Sequence, residues 1–281
     1  MNNSETPPGS TPLIGPDDPP SYVVLHEHGA AAALLVCDHA SRAFPRSMER
    51  LGLPELATWQ HVAWDIGAGE LTRGLAHALD APAVLAGYSR LVVDCNRDPD
   101  HAEVFRKESD GWIVPGNQSL TDAQRRMRRS SFFEPYHARI ATSLDQLRER
   151  SVIPLFVSIH TFTPVMAGRH RPWHVGVLWD VDETNARRLM QGLSQVDGLV
   201  VGDNQPYSGR HPSDYTIDHH ANRAGLPHLC IEVRQDQVES PAGLERWVRL
   251  LAGLIGEILV DPAAHRLLHQ ESTAWRHVNH R

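Results

Sequence analysis

Two hydrophobic periods alternate along this chain, and no other feature restricts its possible folds as much. Short, almost uniformly apolar runs recur: AALLVC (32–37), APAVLAG (81–87), SRLVVDC (89–95), PLFVSIH (154–160), WHVGVLWD (173–180), GLVVGD (198–203) and PHLCIEV (227–233). Unbroken apolarity over so short a run is the pattern of a strand covered on both faces. Between the runs lie longer segments over 67–80, 121–151, 182–195, 213–225 and 240–259, each opening near Ser, Thr, Asp or Gly. Their apolar residues fall three to four apart, which predicts amphipathic helices. Pro135 is expected to interrupt the longest of them. Strand–helix alternation predicts an α/β fold: a mixed, mostly parallel sheet with helices on both faces and ligands bound outside the carboxyl ends of the strands. CDHASRAF, which follows the first run, contains no glycine, and this argues against a phosphate-cradling loop and a nucleotide cofactor.

The opening MNNSETPPGSTPLIGPDDPP lacks periodicity and is rich in Pro, Ser, Asp and Asn, so a disordered tail is expected over residues 1–20. Residues 21–281 are expected to form one α/β domain, for which 41% hydrophobic content supplies an ample core. A net charge of −7 leaves no global positive field for nucleic acid or an anionic membrane surface. The expected partner is therefore a small molecule, bound by a monomer or small homo-oligomer. Cys37, Cys95 and Cys230 each sit inside an apolar run and form no Cys-x-x-Cys pair, so they read as buried free thiols. With neither a membrane-length apolar segment nor the charged-then-apolar order of a signal peptide, the expected location is the cytoplasm.

The residues that end the apolar runs carry the chemistry. Asp38-His39 follows LLVC, Asp94, Asn96 and Arg97 follow RLVV, His160 ends FVSIH, and Glu232 lies within LCIEVR. If these strands are parallel, one cleft collects two histidines, several carboxylates and an arginine. Two imidazoles with one carboxylate and an open position form a common hydrolytic zinc site. His39 and His160 are the first two candidate ligands, and Asp65 in HVAWDIGAGEL is favoured over His61 as the third. Asp38, on the opposite side of an extended backbone from His39, suits a supporting or capping role.

A carboxylate embedded in an apolar strand carries a heavy desolvation cost unless it is paired or functional. For Glu232 the two readings are an ion pair with Arg234, two residues on, and a general base that takes a proton from water and delivers it to a leaving nitrogen. Asn96-Arg97 suits a substrate carboxylate, because guanidinium forms two parallel hydrogen bonds and the amide adds a third. The flanking Asp94 and Asp98 would orient that guanidinium. Arg210, on the Gly-, Pro- and Ser-rich loop NQPYSGRHPSD, is a second candidate anchor.

VCDHAS, HVAWDIGAGEL, YSRLVVDCNRDP, EPYHARI, VSIHTFTP and RAGLPHLCIEVRQD together resemble the N-formylglutamate amidohydrolase family, in order, over about residues 30 to 260. The resemblance implies a three-layer α/β/α sandwich like that of zinc-dependent carboxypeptidases and of the aspartoacylase and succinylglutamate desuccinylase group. It also implies hydrolysis of the amide of an N-acylated acidic amino acid, typically N-formyl-L-glutamate. His39, Asp65 and His160 would then hold one Zn2+ (cobalt or manganese being other candidates), Glu232 would be base and proton shuttle, and Asn96 with Arg97 would grip a carboxylate. On the resemblance alone, His220 in DHHANRAG would be a substrate or oxyanion contact.

Overall fold

The computed structural model describes residues 12–150, 152–210 and 214–268. Among these residues, seven strands build the central sheet: β1 (Tyr22–Leu25), β2 (Ala33–Cys37), β3 (Ala83–Ala86), β4 (Leu155–Phe162), β5 (Val175–Leu178), β6 (Val201–Asp203) and β7 (His228–Arg234). Their order is β1-β3-β2-β4-β7-β5-β6. β3, β2, β4 and β7 run parallel, and so do β5 and β6, while β1 on β3 and β5 on β7 are antiparallel. The sheet is therefore mixed and mostly parallel, as the uniformly apolar runs require.

Helices α1 (Ala68–Leu79), α4 (Glu183–Ser194) and α5 (Pro241–Leu259) cover one face, where Leu71, Leu75, Leu189, Leu193, Trp247 and Leu251 pack on Leu35, Val157 and Ile231. The other face packs Leu34, Val36 and Phe156 against Tyr136, Ile140 and Leu144 of α3 (Glu134–Glu149), which follows α2 (Asp122–Arg128). Burying each such Leu or Ile contributes about 1.5–3 kcal/mol, so a one-residue slip that exchanged the two faces would be severely penalised.

This fixed register also builds the site. Along the α3 face, Leu34 pairs with Phe156, Val36 with Ser158, and Ser158 with Cys230. Two residues farther on, the same row holds Asp38, His160 and Glu232, the last two paired directly. The pleat alternates side chains between faces, so one step along three parallel strands converts a core layer into a cluster of ionisable groups.

Three local expectations differ from the structure. Residues 89–95 form a buried turn instead of a strand. Leu91, Val92 and Val93 are at most 3% exposed. The backbone of this run pairs with other loops: Ser89 N–H donates to Ala43 (2.9 Å), Arg90 N–H to Ala63 (3.2 Å) and Asp94 N–H to Val104 (2.9 Å). A turn held by loops and by Arg128 of α2, with Val92 and Val93 in the α3-side core, needs the same apolar sequence as a central strand. Within 121–151, residues 122–149 are helical, but the path widens into a π-helical turn over Arg129–Phe133 just before Pro135, which sits in the first turn of α3 where no N–H is required. The expected tail divides: residues 1–11 lie outside the described residues, whereas Leu13 and Ile14 pack on the α3-side core and Asp17 and Asp18 hold Arg46. The three cysteines are buried free thiols, and no helix among the described residues is long and apolar enough to cross a membrane.

Candidate active site

His39 emerges from the end of β2, and the Asp65 N–H donates to its carbonyl (3.0 Å), tying the loop that precedes α1 to that strand end. Gly67 then turns the chain into α1 with φ of +83°, and a Cβ there would lie 2.6 Å from Val238 Cγ2, so the turn requires glycine. The Asp65 carboxylate is thereby aimed between the two imidazoles. Its Oδ2 lies 2.8 Å from His160 Nδ1 and 3.3 Å from His39 Nδ1. Donor atoms from His39, Asp65 and His160 all fall within 4.8 Å of one another, and all three residues are buried.

Behind each imidazole stands a second carboxylate. His39 Nε2 lies 2.7 Å from Asp94 Oδ1, and His160 Nε2 lies 3.3 Å from Asp38 Oδ2. Asp94 is itself gripped by Arg90 Nε and Nη2 (3.3 and 2.9 Å) and by the Asn96 N–H (3.1 Å). Asp38 accepts from the Tyr136 and Thr216 hydroxyls (2.9 and 2.7 Å). At His39 the carboxylate on Nε2 fixes the proton there and turns the Nδ1 lone pair toward the cluster, the arrangement that orients metal-binding histidines, whereas Asp38 Oδ2 approaches His160 Nε2 as a charge without a hydrogen bond. Burial opposes ionisation of Asp65, yet the two imidazoles outweigh it and hold its carboxyl below the usual range. Burial and Arg90 disfavour charge on His39, and burial disfavours it on His160, but the surrounding carboxylates raise both pKa values. The cluster therefore demands positive charge at its centre, which protons satisfy or a divalent cation would. Donor type, number and these supporting contacts fit a divalent metal.

Glu232 faces the same space. Burial drives its pKa up to about 7 against the attraction of His160, and its Oε2 is buried without a hydrogen-bond partner. The ion pair with Arg234 does not form. Arg234 instead holds Asp236 (2.7 and 3.1 Å) and the carbonyls of Arg171, Pro172 and Trp173.

These groups open into a cleft of about 320 Å³ whose lining includes His39, Asp65, Asn96, Arg97, His160 and Glu232. Asn96 accepts the Thr216 N–H at Oδ1 (3.0 Å) and brings Nδ2 to 3.5 Å from His160 Nε2. Arg97 Nε lies 4.0 Å from Asp94, while Asp98 turns to the Asp100 N–H (2.8 Å). His61 lines the cleft but faces Asp110 (3.2 Å), outside the His-Asp-His cluster. Arg210 lies over the Trp179 ring, 4.5 Å from its centroid, and is not among the lining residues. His220 is buried behind the cleft with Nε2 3.0 Å from His137 Nδ1, and His137 Nε2 donates to the Cys95 carbonyl (2.9 Å). Sequence reasoning passed over Arg90, Arg106, Tyr207 and Asp214, all of which line the cleft. Arg90 had one available signal, since it lies four residues before Asp94 within the same apolar run.

With this geometry in place, comparison with known proteins becomes informative. The family model for N-formylglutamate amidohydrolase matches residues 31–238. The crystal structure of a gene product from Agrobacterium tumefaciens is 31% identical, with a TM-score of 0.84 and a match covering 87% of this chain and 97% of that one. The crystal structure of N-formylglutamate amidohydrolase from Ralstonia eutropha JMP134 is 18% identical, with a TM-score of 0.64 and coverage of 85% and 98%, a likeness of fold. No curated protein matches the chain. The matched span runs from the start of β2 to just past β7 and so contains every residue of the buried cluster; on that evidence the chain belongs to the N-formylglutamate amidohydrolase family.

Proposed function

We propose that the cleft hydrolyses the amide of an N-acylated acidic amino acid such as N-formyl-L-glutamate, with one divalent cation, zinc first, held by His39, Asp65 and His160. When bound, such an ion supplies Lewis-acid polarisation of the amide carbonyl and lowers the pKa of nearby water. Asp94 keeps the His39 imidazole in the tautomer that presents Nδ1, and Asp38 supplies negative charge beside His160. Glu232 accepts a proton from the attacking water and returns it to the leaving nitrogen, so that water and amide become carboxylic acid and amine, between which the remaining acid proton then equilibrates at neutral pH. A carboxyl with a pKa of about 7 is suited to both halves of this transfer near neutral pH. Asn96 and Arg97 bind a substrate carboxylate at the mouth of the cleft and orient the amide toward Glu232.

The observation that carries this reading is the buried, unpartnered Glu232 carboxyl oxygen facing the His-Asp-His cluster. A non-catalytic binding protein has no use for it. Turnover by Glu232→Gln, measured on N-formyl, N-acetyl and N-succinyl amino acids alongside metal content, is the decisive experiment. The expected result is a loss of roughly 10²- to 10⁴-fold in kcat with metal still stoichiometric. Undiminished turnover, or loss of the metal, overturns the role.

A further inference from the structure

Three guanidinium groups, those of Arg90, Arg97 and Arg106, line the cleft. Arg90 is committed to Asp94 (2.9 Å) and Asp65 (3.4 Å). Arg97, with only a 4.0 Å approach to Asp94, remains largely open to a ligand. The third has no role in the metal or proton chemistry, yet its backbone is firmly held. It follows the short 3-10 helix Ala102–Phe105, whose Val104 and Phe105 are buried. The Asp94 N–H donates to the Val104 carbonyl (2.9 Å), and Asn117 Nδ2 donates to the Arg106 carbonyl (2.7 Å).

The side chain is held less well than the backbone. Arg106 Nε is buried without a hydrogen bond. Its ion pair with Glu103 is long, at 3.8 Å, and that carboxylate is 60% exposed, so it contributes little. Burial lowers the Arg106 pKa, Arg90 and Arg97 lower it further, and the carboxylates of Asp94 and Glu103 only partly offset this. A half-buried cation with an unmade N–H bond, next to like charges, is costly unless an anion completes it.

We propose that Arg106 is the residue that binds the second carboxylate of the acidic substrate proposed above, and that it sets the discrimination against analogues lacking that carboxylate. Arg97 holds one carboxylate and Arg106 the other, and Arg106 thereby acts as a specificity-determining residue. This rests on the hydrolase reading given above, but its test has an arm that does not.

The kinetic arm compares kcat/KM for N-formyl-L-glutamate and N-formyl-L-glutamine, which differ only in a distal carboxylate against a neutral carboxamide. The binding arm compares glutarate with its monoamide by calorimetry. The wild-type protein is expected to favour the dicarboxylate by roughly 10- to 100-fold in both arms, the range for hydrogen bonds to a charged group. In Arg106→Gln that preference collapses toward unity, while Arg106→Lys, which keeps the charge without the fork, retains part of it. Equal losses on both substrates with an unchanged ratio would show a merely structural residue and overturn the proposal. Absence of a dicarboxylate preference in the wild-type protein overturns it as well, even should the variants fail to fold. If no N-acyl amino acid is hydrolysed, the hydrolase reading fails alone, and the glutarate ratio still decides the role of Arg106.

Discussion

At the scale of single residues, the site depends on which carboxylate each imidazole faces. Asp94 is fully buried and serves His39, Arg90 and the Asn96 N–H at once. Replacing it with Asn keeps the shape but removes the charge that polarises His39 Nε2–H and pairs with Arg90. Metal affinity of Asp94→Asn, measured by competition with a chromophoric chelator, is expected to fall by about 10- to 100-fold. Unfolding free energy falls too, by no more than the roughly 3–5 kcal/mol of a broken buried pair, because Arg90 keeps its contact with Asp65. Unchanged metal affinity would remove Asp94 from the support of the site. His39, His160 and Glu232 were legible in the sequence because each interrupts or ends an apolar run, where a polar group needs a reason. Arg106 was not, because a loop arginine beside Lys107 and Glu108 carries no such contrast with its neighbours, and Arg90 was passed over although it stands in the run 89–95. His220 was suggested by resemblance alone, and eighteen histidines leave no compositional signal to rank one over another.

Elements show what sequence periodicity can and cannot resolve. Six of the seven apolar runs contain strands of the sheet, whose two faces are covered by helices. The seventh, 89–95, is a turn held by loops and by Arg128 of α2, and burial alone does not distinguish the two. The helical segments over 121–151 and 213–225 both contain π-helical turns, Arg129–Phe133 and Asp218–Asn222, and the second places His220 against His137 of α3. Burial depresses both imidazoles, His137 to about 4 and His220 to about 3, with His219 adding repulsion to each and Asp38 opposing it. The folded pKa values lie below the unfolded value near 6.5, so the unfolded chain binds more protons in between. The pair's contribution to stability is therefore fully present above about pH 6.5 and is lost as pH falls toward about 3. Denaturant midpoints of the wild-type protein and of a His137→Gln/His220→Gln variant, compared from pH 7 to 4, should converge as the pH drops. Taking the difference cancels the carboxylates and the cluster histidines, which titrate in both proteins. A constant gap across that range would contradict the assignment of neutral, mutually hydrogen-bonded imidazoles.

For the whole molecule, the strand order forbids an easy division. β2, from the first part of the chain, lies between β3 and β4, and β7, from the last part, lies between β4 and β5. A cut anywhere between β2 and β7 leaves unpaired strand edges at the middle of the sheet, where the site sits. α5 adds a second tie: it lies beyond the span shared with the family, yet its Trp247, 1% exposed, packs into the same core as Leu71 and Leu75 of α1. That helix starts three residues after Asp65, so the packing that holds α1 also holds the candidate ligand. Equilibrium unfolding followed by tryptophan fluorescence and by far-ultraviolet circular dichroism should therefore give coincident transitions, the signature of one cooperative unit. Trp247→Ala should lower the unfolding free energy by about 3–5 kcal/mol, less whatever is regained by deleting an indole N–H that is buried without a partner. Both probes should shift together. A variant in which α5 melts first, with secondary structure lost ahead of the remaining fluorescence change, would show that α1 and the His-Asp-His cluster stand without it.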